Sequence, residues 1–277
     1  MPYRLPLYLS IILLFFAPQL LATTTLEGNM IQGGMLVGTT TPGSRVMVDS
    51  KSIRVSPKGV FLVGFGRDHG TTSKLQITAP DGSRESRTLT IEPREYQIQR
   101  IDGLPASKVT PTKEADLKRI RADIALAKAA RAIDDPRTDF LTGWQWPTTG
   151  PISGVYGSQR ILNSKPKRPH FGVDIAAPVG TPVVAPADGV VTMVHNDMFY
   201  SGGTLIVDHG HKLTSSFLHL NKILVKKGDV VKSGDLIAEV GKSGRVTGAH
   251  LDWRMNLRDE RIDPQLLVPP MPQQSVK

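Results

Sequence analysis

Apolar and polar positions alternate in short runs across residues 29–104: "MLVG", "RVMVD", "FLVGF", "KLQITAPDGS" and "RTLTIEP", with "TTTPGS" and "SPKG" between them. Period-two alternation broken at close intervals by proline and glycine predicts short strands joined by tight turns, the rhythm of a small sandwich. No cluster of ligand-type residues falls in this stretch. His69, in "GRDHGT", stands alone and reads as a loop histidine facing solvent.

The period changes at "TKEADLKRIRADIALAKAARAID", residues 112–134. Alanine, leucine and charges of both signs dominate, with Pro111 just before and Pro136 just after. Leu117, Ile120, Ile124 and Ala127 fall on one stripe. That pattern predicts a connecting helix packed by its stripe on a neighbouring domain. From 140 to 268 the texture is β again. "GTPVVAPADGVVTMV" and "KGDVVKSGDLIAEVG" resemble each other and predict two tight hairpins of similar design, so that one β core is built from related halves.

The first 22 residues are of another kind. Arg4, an apolar run from Leu7 to Phe16, then Ala17–Pro18 and Ala22 have the layout of a secretory signal peptide. The run is short for a bilayer span and lacks flanking stop-transfer charge, so cleavage near Ala22 and no transmembrane anchor are expected. The expected layout is a signal peptide over 1–22, a sandwich-like module over 23–108, a helical linker over 109–139, a second β domain over 140–268 and a flexible tail over 269–277. The chain has no cysteine. Disulfides are therefore excluded, as is a lipoprotein anchor on a cysteine after the signal, and stability must rest on core burial with or without a metal. The formal charge is +9, or +8 once Arg4 leaves with the signal. For an exported protein this suits an anionic surface, either membrane headgroups or a cell wall with free carboxylates, and not nucleic acid.

Candidate chemistry gathers in the second β domain. His170 and Asp174, in "PHFGVDIAAP", are four apart. Gly172 and Pro178 oppose a helix there, but a bent strand or loop can still turn both to one side, with Gly172 letting the backbone curve around an ion. His219 lies between Leu218 and Leu220 in "SSFLHLN"; His250 and Asp252, in "AHLDWRMNL", are two apart and so share one face of a strand. Singly each has a plain reading: strand histidines are commonly surface or hydrogen-bonded residues, Asp174 suits a turn, and Asp252 can pair with Arg254 or Arg258. Jointly, three apolar segments each present a histidine and two add an aspartate. That supplies three ligands for Zn²⁺ with a fourth place left for water, and further histidines as acid, base or oxyanion stabiliser. Trp144, Trp146, Tyr156 and Tyr200 suit either a groove or the core. His195, His209 and His211 lie outside these motifs. "DHGHK" reads as a strand end and hairpin turn rather than a second metal clamp.

"HFGVD" resembles the H-x-G-x-D motif of the M23 (LytM, lysostaphin-like) zinc metallopeptidases. The resemblance covers roughly residues 144–265 and includes "GWQWPTTGPISGVYGSQR", "GGTLIVDHGHKLTSSFLHL" and "TGAHLDWRM" in the expected order. The upstream module is similar to the β domain of exported proteobacterial members. The resemblance implies a mainly β chain: an N-terminal small β-sandwich, a linker helix, and a C-terminal LytM-type β core related to the barrel-sandwich hybrid, with an open groove. It implies one zinc ion on His170 and Asp174, and catalytic roles for His219 (in "FLHL", where the family has Y-x-H-L) and His250. The family's last motif is H-x-H; here Asp252 stands where the ligand histidine belongs, and is taken as the third ligand. Two carboxylates and one imidazole cancel the ion's charge, which should polarise its water less and admit harder ions such as Mn²⁺.

The implied function is that of an exported peptidoglycan metalloendopeptidase, periplasmic in a Gram-negative host, cutting stem or cross-link peptide bonds. The alternative is a metal-poor, degenerate member whose Asp252 pairs with an arginine, and which binds the wall and activates another hydrolase such as an amidase. A biotinyl or lipoyl carrier, suggested by "KKGDVVKSGDLIAEVG", is disfavoured because Lys232 and Lys242 lack the methionine or aspartate neighbour of a modified lysine.

Overall fold

The computed structural model describes residues 24–272; the signal peptide expected over 1–22 and the last five residues of the expected tail lie outside the described residues. The described chain is mainly β, with one long helix, Glu114–Arg131.

In the upstream module, strands Thr25–Gly28, Met35–Thr39 and Val60–Gly64 form one antiparallel sheet. Lys51–Ile53, Arg45–Val48, Thr72–Thr78 and Arg84–Thr90 form a second. Leu36, Val46, Phe61, Val63, Leu75 and Ile77 fill a core between them. Alternate residues of the first sheet, Met35, Val60 and Leu62, face the other way and join the core of the second domain. Burial on both faces explains why "VFLVG" is an unbroken apolar run. Gly64 is a point of close approach: a Cβ there would meet Leu257 Cδ2 at 2.9 Å and Ile262 Cδ1 at 3.0 Å.

The second domain is built on one antiparallel sheet. Its order is Val230–Val231, Gly189–Met198, Gly202–Asp208, Leu213–Leu220, His250–Leu257, Val173–Ala176 and Ile152–Gly154. Glu260–Ile262 also pairs with His250–Leu257. In that strand Leu251, Trp253, Met255 and Leu257 are fully buried in the main core with Phe217, Leu205 and Ile175. Each such side chain removed from water contributes on the order of 1.5–3 kcal/mol. The period of two puts His250, Asp252 and Arg254 on the opposite face.

The two look-alike segments do not form separate hairpins. Pro182–Val184 pairs with Leu236–Glu239, and Gly189–Val190 pairs with Val230–Val231, so each segment pairs with the other. The turns explain the exchange. Asp188 accepts from Ser233 N at 2.9 Å and from Lys232 Nζ at 2.8 Å, which docks one turn on the other and sends the flanking strands into cross-segment register.

The helix also differs from expectation. It begins with Glu114 and Asp116 and ends with Lys128 and Arg131, the arrangement a helix dipole favours. It is anchored by Ala127 and Ala130, packed on Met193, Met198 and Ile206, while Ile124 is 62% exposed. Small residues let the helix approach the sheet closely, which leaves the bulkier Ile120 and Ile124 facing a cavity. Strand Ile98–Ile101, at the end of the upstream module, pairs in parallel with Gln159–Leu162 of the second domain. Beyond 268 the chain is still held: Trp146 Nε1 donates to Pro269 O at 2.8 Å, and Met271 packs on the core. Among the described residues no helix is long and apolar enough to cross a membrane.

Candidate active site

Strand pairing brings the two aspartates together. Val173–Ala176 lies against His250–Leu257 with Asp174 directly opposite Asp252, and Leu218 opposite Asp252 on the other side. Two glycines make room for the carboxylates. A Cβ on Gly172 would fall 2.6 Å from Asp252 Oδ1, and one on Gly154 would fall 2.3 Å from Asp174 Oδ2. His170 sits in the loop before the strand, its N–H donating to Ser158 O and its carbonyl accepting from Gly157 N. His219 has φ +64°, a left-handed backbone near the end of a strand in which every residue from Leu213 to Leu220 is buried.

The ligand-type atoms of His170, Asp174 and Asp252 lie within 4.8 Å of one another, and all three residues are buried. His170 Nε2 is 3.0 Å from Asp174 Oδ1. Apart from each other, neither atom has a hydrogen-bond partner among the described residues, and His170 Nδ1 has none. Buried polar atoms left unpaired need a reason. A divalent cation between nitrogen and oxygen donors of this kind supplies one, so the residues present fit a metal ion.

Two further histidines flank the cluster. His250 Nε2 is 3.8 Å from Asp174 Oδ1, and His219 Nε2 is 4.0 Å from Asp252 Oδ2. Their ring centroids are 4.8 Å apart. On the far side of each ring a backbone carbonyl fixes the tautomer. Nδ1 of His219 is 2.8 Å from Ser243 O, and Nδ1 of His250 is 3.0 Å from Gly248 O. A carbonyl only accepts, so assignment from these partners puts the proton on Nδ1 and leaves Nε2 as a lone pair facing the cluster. Burial pushes the His219 pKa down to about 4, which keeps the ring neutral.

Each carboxylate also has its own arginine. Arg160 NH2 donates to Asp174 Oδ2 at 2.5 Å. Arg254 grips Asp252 at both oxygens, from Nε at 2.9 Å and from NH2 at 2.5 Å. The pairing foreseen as the alternative to metal ligation therefore does form, yet the same carboxyl still faces His170 and Asp174. Burial works to raise Asp252, but Arg254, then His170 and His219, outweigh it and hold the carboxyl well below the usual range. Asp174 is pushed up by burial and by Asp252, and held below its ordinary value by His170 and Arg160.

The five residues named from sequence, His170, Asp174, His219, His250 and Asp252, thus come together. Arg160 and Ser243 were missed. Arg160 reaches Asp174 across a loop and a strand pair, for which no local spacing is diagnostic; Arg254 was legible as the same-face neighbour two positions on. The "DHGHK" turn holds core residues. His209 is buried between Asp188 O at 2.6 Å and Ser215 Oγ at 2.7 Å, with its ring against Trp144. His211 lies against Phe140. Trp146 packs edge-on to Trp253, and buried Tyr156 donates to Arg261 O at 2.6 Å. Of the four aromatics only Tyr200 lines the cavity, under Arg245 at 4.5 Å.

Comparison with known proteins points the same way as the geometry. Residues 168–264 match the model of Peptidase family M23. The Vibrio cholerae peptidoglycan DD-endopeptidase ShyA is 43% identical over 106 residues, 38% of this chain and 24% of that protein. The chain thus spans about a quarter of the length of that relative. The Escherichia coli uncharacterized lipoprotein YgeR is 26% identical over 221 residues, 80% of this chain and 82% of that one. A crystal structure from Pseudomonas aeruginosa, assigned to peptidase M23, superposes with a TM-score of 0.67 at 29% identity, covering 86% of this chain and 95% of its own.

Proposed function

We propose that this chain, whose residues 168–264 match Peptidase family M23, is an exported, periplasmic metalloendopeptidase that cuts peptide bonds of peptidoglycan. One observation carries the reading: buried His170 and Asp174, whose facing Nε2 and Oδ1 atoms have only each other as hydrogen-bond partner among the described residues, stand beside Asp252, with the Nε2 atoms of His219 and His250 turned toward them. The substrate class is taken from relatives named peptidoglycan DD-endopeptidases.

His170, Asp174 and Asp252 would hold a single zinc ion, with Mn²⁺ as a substitute. When bound, the ion supplies Lewis acidity that lowers the pKa of water and polarises the scissile carbonyl. The chain's own residues handle the protons. His219, kept neutral by burial, accepts at Nε2, His250 presents its Nε2 beside it, and the contacts of their Nδ1 atoms with Ser243 O and Gly248 O keep both rings aimed. Once protonated, Nε2–H becomes a donor, to the oxyanion or to the departing nitrogen as the C–N bond breaks. Arg160 and Arg254 keep Asp174 and Asp252 ionised throughout.

A second reading is favoured by Arg254 itself, whose fork engages both oxygens of Asp252. On that reading the ion is absent, and the protein binds the wall and activates another hydrolase. Zinc content of the purified chain and mass spectrometry of digested peptidoglycan separate the two. Stoichiometric zinc with new stem-peptide ends, lost in His250→Ala, supports the peptidase. An inert, zinc-free protein that stimulates an amidase overturns it.

A further inference from the structure

A cavity of about 870 Å³ opens between helix Glu114–Arg131 and the site face of the sheet, reaching His170 and His219. Lysine and arginine outnumber its two carboxylates, Asp123 and Asp259. Asp123 is already engaged, accepting from Phe199 N at 2.7 Å. Three guanidiniums line its wall: Arg131 from the last helical turn, Arg254 from strand His250–Leu257, and Arg261 from strand Glu260–Ile262. Their charges act on one another. Burial, then Arg261 and Arg254, bring Arg131 down to about 9; burial, then Arg254 and Arg168, bring Arg261 down to about 10.

Of the three, only Arg254 has a carboxylate partner among the described residues, and that carboxylate, Asp252, is shared with the site. Arg261 NH1 finds the neutral Asn256 Oδ1 at 2.8 Å. Arg131 reaches Ser216 Oγ at 3.3 Å, and its buried Nε has no acceptor. Like charges gathered in a half-buried cavity and a buried donor left unpaired both cost stability. Oxyanions relieve both, because a planar guanidinium binds carboxylate or phosphate oxygens in pairs.

We propose that this cavity is an anion-binding site, in which Arg131 and Arg261, backed by Arg254, hold a ligand through carboxylate or phosphate oxygens. The site goes beyond the peptidase reading and does not depend on turnover. The ligand chemistry has two sources, free phosphate or the carboxylates of a wall peptide, and the test separates them.

The test is calorimetric titration of the full chain in chloride buffer with inorganic phosphate, with a disaccharide tetrapeptide carrying free carboxylates, and with its amidated counterpart. Binding of either anionic probe is expected, with the amidated peptide at least about tenfold weaker than the free one if the wall is the source. Arg131→Gln and Arg261→Gln should each weaken binding about tenfold or more, the loss of one charge-assisted contact. Arg119→Gln, on the same helix but paired with Asp197 outside the cavity, should bind as wild type. In the same chloride buffer without phosphate or peptide, Arg131→Gln should melt no lower than wild type, because it removes repulsion and an unpaired donor; a purely structural arginine would melt lower. Absence of binding by both anionic probes, or equal binding in Arg131→Gln and Arg119→Gln, overturns the site. Failure of the peptidase reading would appear separately, as binding without cleavage.

Discussion

Arg254 and Asp252, two residues apart on one strand, are joined at both carboxylate oxygens, Nε to Oδ1 at 2.9 Å and NH2 to Oδ2 at 2.5 Å. With Arg160 on Asp174, each acidic donor of the cluster is already matched by a cation. A carboxylate oxygen has two lone-pair directions, so the arginine and a metal ion can share it. The guanidinium nevertheless opposes the ion's charge at close range.

Arg254→Gln should therefore have two opposite effects. Without metal, the variant leaves Asp252 buried and unmatched, at a cost of about 3–5 kcal/mol. With zinc, the freed carboxylate should bind more tightly, by roughly tenfold, the scale of effect a neighbour of a metal ligand commonly has. Melting curves with and without zinc, and competition against a chromophoric chelator, measure both. Unchanged zinc affinity would mean that the fork does not compete with the ion.

Asp252→Asn removes charge while keeping shape. Stoichiometric zinc should be lost, and Asp252→His should retain it. Equal zinc in wild type and Asp252→Asn would remove Asp252 from the ligand set and leave its charge irrelevant.

His219→Ala and His250→Ala should keep zinc and lower kcat by about 10²–10⁴-fold, the span of general acid–base catalysis. Metal content and steady-state hydrolysis of the same preparations check this. A variant that loses the metal together with its activity would reassign that histidine as a ligand.

Away from the site, His209 sets a pH dependence of stability. Burial lowers its pKa from 6.5 to about 4. Between these values the unfolded chain binds more protons, so stability falls as pH is lowered from about 6.5 to about 4, by on the order of 3 kcal/mol. His211, also near 4, acts in the same sense. Asp208, raised to about 6 by burial, acts in the opposite sense, because its folded form takes the proton first. Denaturant midpoints across this range should decline less steeply for His209→Gln; parallel slopes would show that His209 titrates normally.

Local spacing made much of the site readable. Asp252 and His250 share a face by period two, and Gly172 marks the close approach that a side chain would block. The strand pattern likewise predicted a mainly β chain. Pairing was not readable in the two look-alike segments. Similar turn chemistry suits a hairpin within each or an exchange between them, and the docking of Asp188 on the second turn decides. The helix stripe misled for a related reason. Apolar periodicity reports which residues avoid water on average, whereas contact distance was decided by the small Ala127 and Ala130. Arg160 carried no signal, since a charge partner fourteen positions away in sequence becomes a neighbour only through the strand that carries it.

The layer made of Thr25–Gly28, Met35–Thr39 and Val60–Gly64 feeds apolar side chains into two interiors at once. Neither half of the molecule owns that layer, so a cut after the upstream module would strip the remaining part of Met35, Val60 and Leu62 and bare the surface they cover. Heat or urea should accordingly melt both halves in one shared transition. The loosening of either is felt by the other as a missing wall.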